Sequence, residues 1–129
     1  MRGIVQAAMA ATVFMLVACV SAPAPEAEPA ATAKEYIIAE IEVINPEPYK
    51  EYVAAVTPMV AAFGGRYVVR GGAAEGREGD IPRGRIVVLE FPSVEAARRF
   101  SDSPEYAAIA ALRHQNAVSR LMIVEGTAP

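Results

Sequence analysis

The 129 residues hold 12 Lys+Arg against 15 Asp+Glu, a formal charge of −3, and the arginines are scattered among acids. Phosphate backbones are bound through clustered positive charge, so a nucleic-acid partner is excluded. His114 is the only histidine and Cys19 the only cysteine, which excludes a metal site built from several imidazoles and an internal disulfide.

Residues 1–18, MRGIVQAAMAATVFMLVA, carry one charge, Arg2, ahead of a long apolar run. That is the layout of a secretory signal peptide, and the run barely reaches the ~17 residues that span a bilayer. It ends in Leu16-Val17-Ala18-Cys19, which resembles the lipobox of bacterial lipoproteins. In that chemistry the thiol of Cys19 takes a diacylglyceryl group as a thioether, and the chain is cleaved after Ala18. The expected product is anchored in the cell envelope facing the periplasm, its membrane partner reached through acylated Cys19. Two or three acyl chains at ~0.8 kcal/mol per buried methylene make such attachment stable. By resemblance to bacterial sorting, Val20 in place of Asp favours the outer membrane over the inner. Losing Arg2 with the leader leaves 11 basic against 15 acidic residues. Ser21–Ala33, SAPAPEAEPAATA, has three prolines, two glutamates and no hydrophobic period, so 19–33 is expected to be a lipidated cysteine followed by an extended tether. One domain is expected over 34–126, with 127–129 as a tail.

Within the domain, Tyr36–Ile44 is rich in Ile and Val and predicts a strand. Asn45-Pro46 stops it and opens a helix, Asn as the cap and Pro tolerated in the first turn. Pro48 blurs that boundary because it disfavours helical geometry at Glu47. Tyr49, Tyr52, Val53, Val56, Val60 and Phe63 recur at helical spacing and form one apolar face. Pro58 falls inside the pattern and is expected to kink or break the helix, and Gly64-Gly65 ends it. Arg66–Arg70 predicts a second strand. Gly71–Gly84, with five glycines and Pro82, predicts a long hairpin loop. Arg85–Phe91 is the third strand, closed by Pro92. Ser93 caps a helix over Val94–Ser101, with Glu95 in its first turn. Asp102-Ser103-Pro104 interrupts it. The helix resumes through Glu105–Asn116, with Tyr106, Ile109, Ala110 and Leu112 apolar, and Arg120–Glu125 is the last strand. The order β-α-β-β-α-β is a ferredoxin-like α+β unit.

Helices in that unit cover one sheet face only, so the other should be polar. Here it is not. Ile37, Ala39, Ile41 and Val43 fit the helix side, yet Tyr36 and Ile38 project oppositely. Val87, Leu89 and Phe91 face one way, Ile86 and Val88 the other. Strands apolar on both faces are buried on both faces, and a second copy related by a two-fold axis is the simplest cover. A homodimer forming an α+β barrel is expected.

Val68-Val69-Arg70-Gly71-Gly72, Glu78-Gly79-Asp80, Val87-Val88-Leu89-Glu90-Phe91-Pro92-Ser93, Ser103-Pro104-Glu105-Tyr106, Arg113 and Val124-Glu125-Gly126 together resemble the DUF1330 family. That is a group of small bacterial domains of the dimeric α+β barrel superfamily with no assigned biochemical function. The resemblance spans about Tyr36 to Gly126; it implies fold and dimer, and no reaction. The chain departs at Ile81, where the family often has an aromatic, and at Ala107, where a polar residue is common. Either change is expected to make a pocket wall less aromatic or less polar.

Alternation that sets Ile38 on the barrel face sets Glu40 and Glu42 there too, and Glu90 joins Ile86 and Val88. A carboxylate on a mostly apolar face is costly unless paired. Arg70, at the end of the neighbouring strand, and Arg113, from the last helix, are the natural cations. Two roles stay open for Glu90. It is the candidate catalytic base, its pKa raised as cofactor-free proton transfer requires, or it is a structural ion pair at the dimer seam. Arg70, Glu40, Tyr106, Arg113 and His114 are the candidate ligand-binding residues. His114 suits acid–base work near neutral pH, although late in a helix beside Arg113 and Gln115 a solvated position is the ordinary outcome. Tyr36, Tyr67 and Tyr106 can donate hydrogen bonds in a pocket. The Arg70-Gly71-Gly72 turn offers amides to an anion, without the lysine of a phosphate loop.

Three readings follow: a small-molecule-binding module with its ligand between sheet and helices, a cofactor-independent monooxygenase- or isomerase-like enzyme using Glu90 with Arg70 or Arg113, or a dimeric scaffold with a filled barrel. None calls for a cofactor or a metal.

Overall fold

Alternation decides the first strand. In a computed structural model describing residues 32–129, β1 runs Glu35–Val43, and every second residue from Glu35 to Ile41 is buried. The expected signal peptide, Cys19 and most of the expected tether lie outside the described residues. Asn45 takes the cap position of α1 (Pro46–Ala62) in extended geometry, but its side chain makes no capping bond. It donates instead to Asn116 Oδ1 at 3.2 Å, while the Ile44 and Asn45 amides both donate to the Asn116 carbonyl. The start of α1 is thereby tied to the end of the last helix.

Of the kink or break expected at Pro58, the break does not occur: the helix continues to Ala62. Pro58 and Ala54, whose carbonyl loses its donor, are both on the exposed side of the helix. Water can satisfy that carbonyl. The helix ends at Phe63, where the Gly64 and Gly65 amides return to Ala61 and Val60 carbonyls and Gly64 takes a φ of 81°.

β2 (Arg66–Arg70) and β3 (Arg85–Phe91) flank the glycine-rich loop. Gly84 enters β3 at a φ of 84°, and a Cβ there would collide with the Ile41 carbonyl of β1. Ser93 caps α2 (Val94–Ser101) by accepting from the Ala96 amide at 3.2 Å. Ser103 then caps α3 (Pro104–Asn116), its hydroxyl accepting from the Tyr106 amide at 3.1 Å. β4 spans Ala117–Glu125, starting three residues before the predicted Arg120, because it pairs with β1 along the whole of β1 from Val43 to Glu35.

The strands form one antiparallel sheet ordered β2-β3-β1-β4, a ferredoxin-like arrangement with the second helical unit divided in two. The helices pack on the face bearing Ile37, Ala39, Ile41, Val87, Leu89 and Phe91. Phe100 sits at the centre of this core, its ring 5.4 Å from Phe91, 4.6 Å from Tyr106 and 5.8 Å from Phe63. Burying such a side chain contributes about 1.5–3 kcal/mol. Among the described residues no helix is long and apolar enough to cross a membrane.

Candidate functional site

Between sheet and helices the packing leaves a cavity. Its floor is Ile37, Ala39, Ile41, Val87 and Leu89 from the sheet; its roof is Tyr49, Tyr52, Val53 and Val56 from α1, with Phe100 and Tyr106 beyond. Tyr67, Arg70 and Arg85 complete one end. The space is about 40 Å³, which at roughly 10–15 Å³ per water holds about three waters or a very small ligand.

Helical spacing explains how polar groups reach this apolar space. Tyr106, Ala110 and Arg113 are buried on one face of α3, and that face meets α1. Arg113, 4 % exposed, therefore carries its guanidinium into the seam between the two helices. One of its terminal nitrogens donates to Tyr106 Oη at 2.7 Å and to Tyr52 Oη at 3.4 Å. The group lies 5.5 Å from the Tyr52 ring centre and 5.9 Å from that of Tyr106, within cation–π range. Burial pushes the Tyr52 phenol well above its ordinary range, with Tyr106 adding to the effect and Arg113 opposing it. Tyr49 is raised in the same way by burial, with Arg85 and Arg113 opposing. Both stay protonated at neutral pH.

Arg70 lines the cavity but does not meet Glu90, contrary to expectation. A bulge between Tyr67 and Val69 shifts the β2 register, so Arg66 lies opposite Glu90 and Arg70 opposite Val87. One extra residue reverses which face the following side chains take. Arg70 consequently turns to the helix side, stacks 4.4 Å from the Tyr67 ring centre and donates to Thr57 Oγ1 at 2.7 Å. The Gly71 amide is used within the sheet, donating to Ile86 O at 2.8 Å, so the Arg70-Gly71-Gly72 turn does not offer that amide to an anion.

Glu90 lies on the opposite side of the sheet. It receives two hydrogen bonds from Arg66 at 3.0 Å and one from Lys34 at 2.6 Å, and neither Arg70 nor Arg113 reaches it. Those two cations hold its carboxyl below the usual range. A general base for carbon acids needs the opposite shift, so this geometry fits the ion-pair role. Glu40 is likewise on the open face, paired with Arg120 directly across from it on β4. It borders a shallow groove with Ile81, Arg83 and Val118, so Ile81 belongs to that groove and not to the covered cavity. Ala107 is exposed and also outside the cavity. His114 is exposed, with Nε2 2.8 Å from Arg113 Nη2; since Arg can only donate, that nitrogen is the acceptor.

The structure thus brings Tyr106, Arg113 and Arg70 to the covered side and sets Glu40 and Glu90 apart on the other. Sequence reasoning missed Tyr49, Tyr52 and Arg85 as cavity residues. Tyr49 and Tyr52 were visible as members of the apolar face of α1. Arg85 shares the parity of Val87 and Leu89, which was the available signal for its side.

A family model described as "Domain of unknown function (DUF1330)" matches residues 34–127. No curated protein matches the chain. Among solved structures, a protein of unknown function from Rhodopseudomonas palustris, RPA0582, is 21% identical with a TM-score of 0.59, covering 75% of this chain and 85% of that one. SnoaB, a cofactor-independent oxygenase from Streptomyces nogalater, is 15% identical with a TM-score of 0.52, covering 76% and 97%. A dimeric ferredoxin-like protein of unknown function from Thermobifida fusca is 16% identical with a TM-score of 0.51, covering 73% and 92%. At these identities the likeness is one of fold.

Proposed function

This chain belongs to the DUF1330 family, and from that premise we propose that it is an envelope lipoprotein whose α+β domain, paired as a homodimer, binds a small molecule in the covered cavity. The observation that carries the binding reading is the cavity itself: an apolar space with hydrogen-bonding phenols and guanidinium groups converging on it, the usual composition of a small-ligand site. The scaffold reading needs that space filled, and it is open. The enzyme reading loses its base, because Glu90 is ion-paired on the other face of the sheet.

The dimer reading is supported by the open face. Ile38, Val88 and Ile86 are only half-buried there, and β4 exposes Val118, Met122 and Val124 beside them. Leu121 and Ile123, on the opposite face of β4, are also exposed. A strand uncovered on both faces calls for a partner. The anchor reading rests on Leu16-Val17-Ala18-Cys19. Labelling cells with a radioactive fatty acid tests it: the wild type takes up label and Cys19→Ser does not, and label on the mutant overturns the anchor.

Binding is tested by NMR of the protein titrated with fragments of only a few heavy atoms, the size the cavity admits. The backbone amides of Ile37, Ala39 and Val56 are expected to shift together and saturably. A library that moves none of them overturns the binding reading.

A further inference from the structure

The cavity wall carries positive charge with no carboxylate beside it. Among the described residues the one buried acid on the covered face, Glu35, stands at the start of β1 outside the cavity lining and pairs with neither arginine. Arg113 is buried, and among the described residues no carboxylate lies within ion-pairing range of it. Its Nε is sealed from solvent and has no hydrogen-bond partner. Arg85, on the cavity wall, also has a sealed Nε without a partner, while its Nη2 reaches the Arg70 carbonyl at 3.3 Å. No Asp or Glu lines the cavity. A guanidinium removed from water without a counter-ion is strongly unfavourable, and such groups are ordinarily paired. The open face obeys that rule: Glu40 has Arg120, and Glu90 has Arg66 and Lys34.

The hydrogen-bond direction indicates where a counter-ion sits. Tyr106 Oη accepts from Arg113 at 2.7 Å, which leaves its own proton for the neighbouring Tyr52 oxygen or for a ligand in the cavity. Tyr106 lines the cavity, and a hydroxyl polarised by a guanidinium behind it is a strengthened donor. The walls beyond are aliphatic, and the volume admits only a few heavy atoms.

Resting on the reading of this cavity as a small-molecule site, we infer that its ligand is a carboxylate with a short aliphatic tail. The carboxylate is received by the Tyr106 hydroxyl within the positive field of Arg113 and Arg85, and the tail lies on Ile37, Ala39 and Val56. The size and the missing negative charge select a small organic acid over a neutral molecule.

The test is calorimetric titration of the full-length protein in detergent with propionate and with propionamide, which share shape and differ in charge. Propionate is expected to bind saturably and about 10- to 100-fold more tightly than the amide, the range a charged hydrogen-bond partner provides. Arg113→Met and Tyr106→Phe should each remove that preference, and Arg113→Met should melt no lower than the wild type without ligand, because it deletes an unbalanced buried charge. Tyr106→Phe keeps the ring and serves if Arg113→Met fails to fold. Equal binding of acid and amide overturns the carboxylate assignment and leaves the cavity reading intact. So does propionate binding unchanged in both variants, which locates the anion elsewhere. If propionate does not bind at all, the carboxylate assignment falls, and the fragment titration judges the cavity separately.

Discussion

The two faces of the single sheet are built from the same alternating strands and meet different fates. On the covered face Ile37, Leu89 and Phe91 are 3 %, 7 % and 0 % exposed, and the aromatic cluster around Phe100 closes over them. On the open face Ile38 and Val88, opposite each other in the β1–β3 pair, are only half-buried. Charge divides the opposite way. The open face pairs Glu40 and Glu90 with neighbouring arginines or lysine, whereas the covered side buries Arg113 against two phenols and the His114 ring, and Glu35 at the start of β1, without an ion pair for either. The acids Glu40 and Glu90 of the open face are ion-paired, and the buried charges of the covered face are not. That contrast directs the search for a ligand inward and the search for a protein partner outward.

The comparison breaks most severely at Phe100. Phe100→Ala deletes the centre of the covered cluster and should lower stability by about 3–5 kcal/mol in urea unfolding. A loss below about 1 kcal/mol would mean that the helices hold the sheet by other contacts.

Val88→Asp probes the other face. In the proposed homodimer it buries a charge without a partner and should weaken association by several kcal/mol, while the protomer unfolds at nearly the wild-type denaturant concentration. Sedimentation of wild type and mutant reads this directly. A monomeric wild type would show that the open face pairs with no second copy.

The joint between α2 and α3 sets where Tyr106 points. Removing the hydroxyl that caps α3, in Ser103→Ala, should cost about 1 kcal/mol. It should also disturb the NMR resonances of the covered side before those of the open side.

The smallest effect is expected at Glu90. Its folded pKa is lowered by Lys34 and Arg66. Its contribution to stability is therefore complete above the unfolded carboxylate value near ~4.3 and is lost as pH falls from there through the lower folded value. Glu90→Gln should flatten that part of the acid limb and leave ligand binding in the covered cavity unchanged. A mutant that loses binding with its fold intact would return Glu90 to the site.

Much of the architecture was legible because it rests on local periods. The parity of Ile37, Ala39 and Ile41, the glycines after Phe63, and the serines at positions 93 and 103 each act within a few residues of themselves. Pro58 does not break the helix, because its effect depends on which way the freed carbonyl faces. At an exposed turn, solvent replaces the missing donor. Asn45 was placed correctly at the head of α1, but its side chain bonds to Asn116, a partner 71 positions away.

The sequence by itself determined the ferredoxin-like order of elements, the two apolar faces of β1 and β3, and the side on which Glu40 and Glu90 stand. Only the tertiary structure decided which charges meet. The sheet order set Arg66 against Glu90 and Arg120 against Glu40, the bulge at Val68 sent Arg70 to the helix side, and the packing of α3 on α1 buried Arg113 between two tyrosines. Alternation belongs to a single strand and can be counted along the chain. A neighbour across a sheet or between helices is fixed by register and packing, which no count along the chain contains.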